Sequence, residues 1–156
     1  MSYNFGALDE RVQKLLTQFG AAACGAELVC TGDLCGHITA AARIYTPDHA
    51  RTLWVWSAKN QRWQLPGAHG DNDLNLAKVA HREALRALGL PPETKLIGGQ
   101  AVGVEAEEVP EYWNTPAHTH LAVIFEFQIH ERASLPRGAQ WFDSPSDYEI
   151  TVGNEQ

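Results

Sequence analysis

Trp63-Gln64-Leu65-Pro66-Gly67 leads through a polar, glycine-containing loop, residues 68–73, into a helix-forming run, residues 74–88, that is closed by Gly89. Leu76, Ala77, Ala80, Ala84 and Leu88 recur at steps of three and four, so one face of this helix is expected to pack on a sheet. Gly89 is the expected C-cap, because glycine adopts the left-handed conformation that ends a helix. Outward on the N-terminal side, residues 37–45 and 52–57 read as two strands around the turn at Pro47-Asp48, and they are expected to pair as a hairpin. Glu27-Leu28-Val29-Cys30 reads as a short strand before the Thr31-Gly32-Asp33 turn. Leu8, Val12, Leu15, Leu16 and Phe19 give residues 8–19 the spacing of an amphipathic helix. On the C-terminal side, past Pro91-Pro92, the clearest strands are residues 95–104 and 121–129. The acidic connection between them, residues 105–120, reads as a long loop near the functional region. Residues 144–156 carry few apolar side chains and read as a fraying tail.

With 156 residues, 44% of them apolar and 20% charged, the chain has the size and composition of one soluble domain. It contains no apolar run long enough for a membrane span and no secretory pattern at its start, which leads to the expectation of a cytoplasmic protein that engages no membrane. Lysine and arginine number 12 against 19 acidic residues, a net charge of -7 that repels phosphate backbones at long range, so nucleic acid is excluded as a partner. A homodimer is left open. Cys24, Cys30 and Cys35 are odd in number and clustered, which fits reduced thiols rather than a disulfide framework.

The order helix, hairpin, Trp-x-Leu-Pro-Gly, loop and Arg-Glu-containing helix resembles the Nudix hydrolase family, whose signature is G-x5-E-x7-R-E-U-x-E-E-x-G-U with U aliphatic. Trp63, Leu65, Pro66 and Gly67 match the approach to that signature, and Arg82, Glu83, Gly89 and Leu90 match its second half. Gly36-His37-Ile38-Thr39-Ala40-Ala41-Ala42 is similar to a first core strand of a bacterial subgroup. His118-Thr119-His120 is similar to a later His-x-His strand, and Trp141 to a tryptophan near the end of many members. The resemblance implies an α+β fold, an α/β/α sandwich around a mixed sheet, spanning residues 36–143. Residues 1–35 then form an N-terminal helix and lead-in, and residues 144–156 a tail. It also implies a pyrophosphohydrolase of nucleoside diphosphates linked to another moiety, using Mg2+ or Mn2+. Glu83 would be the catalytic, metal-binding glutamate with Asp71 as a weaker ligand, while Gly67, Asp73, Arg82 and Gly89 would shape the loop and helix. Arg82 would anchor the loop through Asp71 or Asp73.

The sequence departs from the signature where the chemistry lies. Hard divalent ions want carboxylate oxygens, which the family supplies at i, i+3 and i+4 on one helix face. Here those positions are Glu83, Arg86 and Ala87, and the signature's first glycine and glutamate fall on Ala68 and Leu74, or on Asp73 after a one-residue shift. Arg86 is spaced to lay its guanidinium on the Glu83 carboxylate, in the place of a cation. His69, His118 and His120 are an alternative metal set suited to a transition ion. Trp63, Trp113 and Arg86 are the candidate ligand pocket, and only one of Trp54 and Trp56 can face it, because alternate strand residues point to opposite faces. Glu105, Glu107, Glu108 and Glu111 read either as a solvated loop or as a source of a further ligand or general base. Two functional readings stay open. One is a hydrolase with weakened or lost Mg2+-dependent catalysis. The other is an inactive domain that binds a nucleotide or another small phosphate-containing ligand and needs no cofactor.

Overall fold

The computed structural model describes residues 10–12, 14, 22–24, 27–29, 36–69, 75–109 and 118–144. Its strands are β1 (Ala22–Cys24), β2 (Glu27–Val29), β3 (Gly36–Tyr45), β4 (Arg51–Ser57), β5 (Arg62–Gln64), β6 (Gly67–His69), β7 (Ile97–Val109), β8 (His118–Gln128) and β9 (Ala139–Asp143), and its long helix is Leu76–Leu88. Residues 10–12 and 14, inside the expected N-terminal helix, are helical.

β3 is the centre of one mixed sheet. Along one edge it runs parallel to β8 from Gly36↔Thr119 to Tyr45↔Gln128. Its other edge is shared end to end by β2 at Glu27↔His37, β6 at Thr39↔His69 to Ala41↔Gly67, and β4 at Tyr45↔Thr52. The expected β3–β4 hairpin therefore pairs only at its closed end. Beyond Thr52, β4 leaves β3 to pair with β9 and β5, and β6 takes the vacated edge.

Alternation along β3 separates the two faces. Ile38, Ala40, Ala42 and Ile44 join Leu121, Val123, Phe125 and Phe127 in the main core, under the helix residues Leu76, Val79, Ala80, Ala84, Ala87 and Leu88. The small alanines of β3 allow the helix close approach, and Val12 is buried in the same core. Arg11 donates to the Ala101 carbonyl, which ties the N-terminal helical residues to β7. On the opposite face, Ala41, Tyr45, Leu65, Ala122 and Ile124 form a second cluster with Trp54 against it.

The helix begins at Leu76 rather than 74. Asn75 is its N-cap, the side-chain oxygen accepting from the Lys78 N–H at 3.1 Å, which satisfies one of the first turn's orphan donors. Gly89 closes it in the left-handed conformation at φ 70°, with its N–H on the Arg86 carbonyl at 3.2 Å and Leu90 N–H on the Leu85 carbonyl at 2.9 Å.

Both ends of the expected loop 105–120, residues 105–109 and 118–120, are strand. β7 and β8 remain in antiparallel register to Glu107↔His120 and Val109↔His118, so only residues 110–117, which lie outside the described set, connect them. Likewise Ala68 and His69 belong to β6, so the loop before the helix starts later than expected. Among the described residues no helix is long and apolar enough to cross a membrane.

Candidate functional site

Glu83, on the helix, has a side chain only 11% exposed, and an arginine stands on either side of it in sequence, at 82 and 86. Arg86 Nη1 is 3.3 Å from Glu83 Oε2 and donates to Oε1 at 3.5 Å, an i, i+3 pair within one turn. Arg82 Nε is 3.6 Å from the same Oε2. Arg86 also stands in the last helical turn, where a cation is favoured by the negative end of the helix dipole.

These residues open onto a cleft of about 320 Å3 between the helix, β4, the start of β6 and the turn before β9. Glu83, Arg86 and Ala87 form its helix side, Gln64, Pro66 and Gly67 its floor, and Trp56 and Arg137 its far wall. Among the described residues the cleft therefore carries Arg86 and Arg137 against Glu83 as the one acidic lining residue. Its lining combines apolar side chains with several polar groups.

The sequence-derived candidates distribute unevenly. Glu83, Arg86 and Gly67 meet in the cleft, and Gly89 caps the helix beside it. Trp63 does not line the cleft. Its ring packs edge-on between Trp56, at 5.6 Å, and Phe142, at 5.0 Å, because its strand neighbour β4 places Trp56 outermost. Trp56 is the tryptophan of the alternating pair that faces the cleft, while Trp54 packs on the second core cluster. Arg82 touches Glu83, whereas its expected partners Asp71 and Asp73 lie outside the described residues, as do Trp113 and Glu111. The side chains of His69, His118 and His120 are outside them too, with the metal site expected there. His81 turns away from the cleft, its ring 5.7 Å from that of Phe127. Arg137 was not foreseen from the sequence; the local signal was the turn pattern Pro136-Arg137-Gly138.

The donor set can be tested against a divalent ion. Mg2+ or Mn2+ needs several free carboxylate oxygens, and on this helix both Glu83 oxygens face arginine nitrogens. No group of three or more His, Cys, Asp or Glu side chains is arranged to hold a metal among the described residues. The described part of the cleft does not fit the family's metal centre.

A second charged cluster lies on the opposite sheet face. Arg43, 9% exposed, pairs with Glu126 at 3.3 Å, and its Nε has no hydrogen-bond partner. Glu105, half-buried in β7 opposite Ala122, has its carboxyl pushed up by burial, with the Arg43 charge pulling the other way.

The central mixed sheet with its helix after the Trp-x-Leu-Pro-Gly approach is a Nudix-type fold. It is similar to the MutT protein of Methanosarcina mazei Go1, at 19% identity and a TM-score of 0.51 over 69% of this chain and 75% of that one. It is equally similar to the dihydroneopterin triphosphate pyrophosphohydrolase of E. coli, at 17% identity and a TM-score of 0.51 over 68% of this chain and 80% of that one. No family model and no curated protein matches the chain. At such identities the likeness establishes the fold alone.

Proposed function

We propose that the cleft binds a small phosphate-containing ligand, a nucleotide or a nucleoside diphosphate linked to another moiety, and that Mg2+-dependent hydrolysis in it is weakened or lost. The observation that carries this reading is the arginine clamp on Glu83. A carboxylate so paired is a poor ligand for a divalent ion, while the guanidinium of Arg86, 72% exposed, and that of Arg137 supply positive charge suited to phosphate oxygens. Arg86 is fixed to the helix and cannot lower the pKa of a bound water as a metal ion does.

The alternative, a working hydrolase, is favoured by the fold. A screen of nucleotide substrates with Mg2+, Mn2+ or Zn2+ separates the two. Ligand binding in the presence of a chelator, weakened about tenfold or more by Arg86→Ala and accompanied by no turnover, supports the binding reading. Turnover that Glu83→Gln abolishes overturns it.

A further inference from the structure

His37, His118 and His120 come together at one end of the central strand pair. The β3–β8 register sets His37 directly opposite His120, and His118 precedes His120 by two residues on the same strand. Ile38, Ala40 and Ala42 occupy the helix face of β3, and Leu121 and Val123 that of β8, so alternation places all three histidines on the other face. Their backbone positions form a compact triangle, since opposed residues of paired strands are about 5 Å apart, alternate residues of one strand about 7 Å, and diagonal ones about 8 Å. His69 pairs with Thr39 on the far edge of β3, two strands away from His120.

Carboxylates continue the row. Glu27 of β2 is opposite His37 and Glu107 of β7 is opposite His120, which gives Glu27, His37, His120 and Glu107 across four strands. Acidic residues at both ends of the row favour a cation over an anion between them. On the same face, two residues further along each strand, Thr39 is 9% exposed and Ala122 is fully buried. The row thus adjoins a dry part of the sheet, where attraction between an ion and its ligands is least screened.

From this juxtaposition we infer that the end of the β3–β8 pair binds a divalent transition-metal ion of the zinc class, with the imidazoles of His37, His118 and His120 as its ligands. Neutral imidazole suits zinc and its neighbours, whereas Mg2+ wants oxygen. Three histidines are a complete zinc donor set of the kind that leaves the fourth coordination position open. The site is distinct from the cleft, whose described lining includes none of these residues.

Zn2+ and Co2+ alone are the probes, added to the full chain after a chelator has been applied and removed. Calorimetry should find one Zn2+ per chain, with an affinity that His37→Ala and His120→Ala each lower about tenfold or more and that His69→Ala and His81→Ala leave within about threefold. Co2+ should give visible d–d bands without a near-ultraviolet thiolate charge-transfer band, which separates the histidines from Cys24, the residue opposite Glu27. An ion that binds only the folded chain stabilises it, so saturating Zn2+ should raise the urea midpoint of the parent and not that of His37→Ala. Equal urea slopes without metal check that the variant folds. In the unmutated chain, NMR of isotope-labelled histidine should show the ring signals of three of the seven histidines moving with Zn2+. Absence of stoichiometric Zn2+ binding, binding that survives His37→Ala and His120→Ala, or a cobalt–thiolate band overturns the inference. None of these results bears on phosphate binding in the cleft, so the two readings fail separately.

Discussion

Gly67 crosses β3 so closely that a β-carbon on it would lie 2.7 Å from the Ala40 carbonyl oxygen and 3.4 Å from the Ala41 β-carbon. The glycine of the Trp-x-Leu-Pro-Gly approach is therefore needed for space, at the point where β6 pairs with β3 through Ala41↔Gly67. Backbone and a fully buried strand resist the displacement that a methyl group demands. Gly67→Ala should cost about 1–3 kcal/mol, the usual penalty for overpacking, measured as a lower urea midpoint with an unchanged slope. An unchanged midpoint would show that β6 moves aside freely.

Freeing Glu83 and restoring its neighbours should build a divalent site. In the double variant Arg86→Glu, Ala87→Glu the three carboxylates share one face at i, i+3 and i+4, and of the two arginines beside Glu83 only Arg82 is left. Calorimetry should find Mg2+ affinity raised at least tenfold, and adding Glu83→Gln should remove the gain. Tight Mg2+ binding by the unmodified chain, lost in Glu83→Gln, would contradict the arginine-clamp argument.

Glu105 predicts a pH dependence with a definite sign. Burial holds its carboxyl above the ordinary glutamate value in the folded chain, so on raising the pH the unfolded chain gives up this proton first. Through that interval the folded state binds more protons, and this group's contribution to stability falls as pH rises, beginning near the ordinary value of about 4.3. Glu105→Gln should remove that decline and make the protein more stable at neutral pH, while leaving acid stability little changed. Urea midpoints compared between acid and neutral pH decide it; a variant less stable than the parent at neutral pH would mean that the Arg43 charge outweighs burial.

Thiol titration of the unfolded, unreduced protein should find all three cysteines free. A count of one would reveal a disulfide and an oxidising compartment.

Much of the fold could be read from periodicity. Apolar spacing marks the helix, Gly89 its end, and the apolar runs mark β3 and β8 as strands, while their parallel pairing at the centre of the sheet is visible only in the fold. The end of the β7–β8 ribbon is not legible because Glu105, Glu107 and Glu108 look like a solvated loop, although Val104-Glu105-Ala106-Glu107 alternates as a half-buried strand does. Within the site, Glu83 and Arg86 were legible because their pairing is local to one helical turn. Trp56 and Arg137 were not, since strand alternation limits the choice between Trp54 and Trp56 but tertiary pairing makes it, and Arg137 reaches the cleft only because its turn docks on the helix end.

The parallel pairing of β3 with β8 also governs how the chain can be assembled. Ile38 meets Leu121 and Ile44 meets Phe127, so the strand at the middle of the sheet acquires its longest partner from a segment that leaves the ribosome more than half a chain later. Until then β3 has only short neighbours on one edge and an open edge on the other. Closing so large a loop delays the reward of the central contacts, and a nascent β3 exposing Ile38, Ile44 and its unpaired backbone offers a template for other strands. Slow synthesis near residues 118–128, or truncation before them, should therefore favour aggregation over any partially folded intermediate.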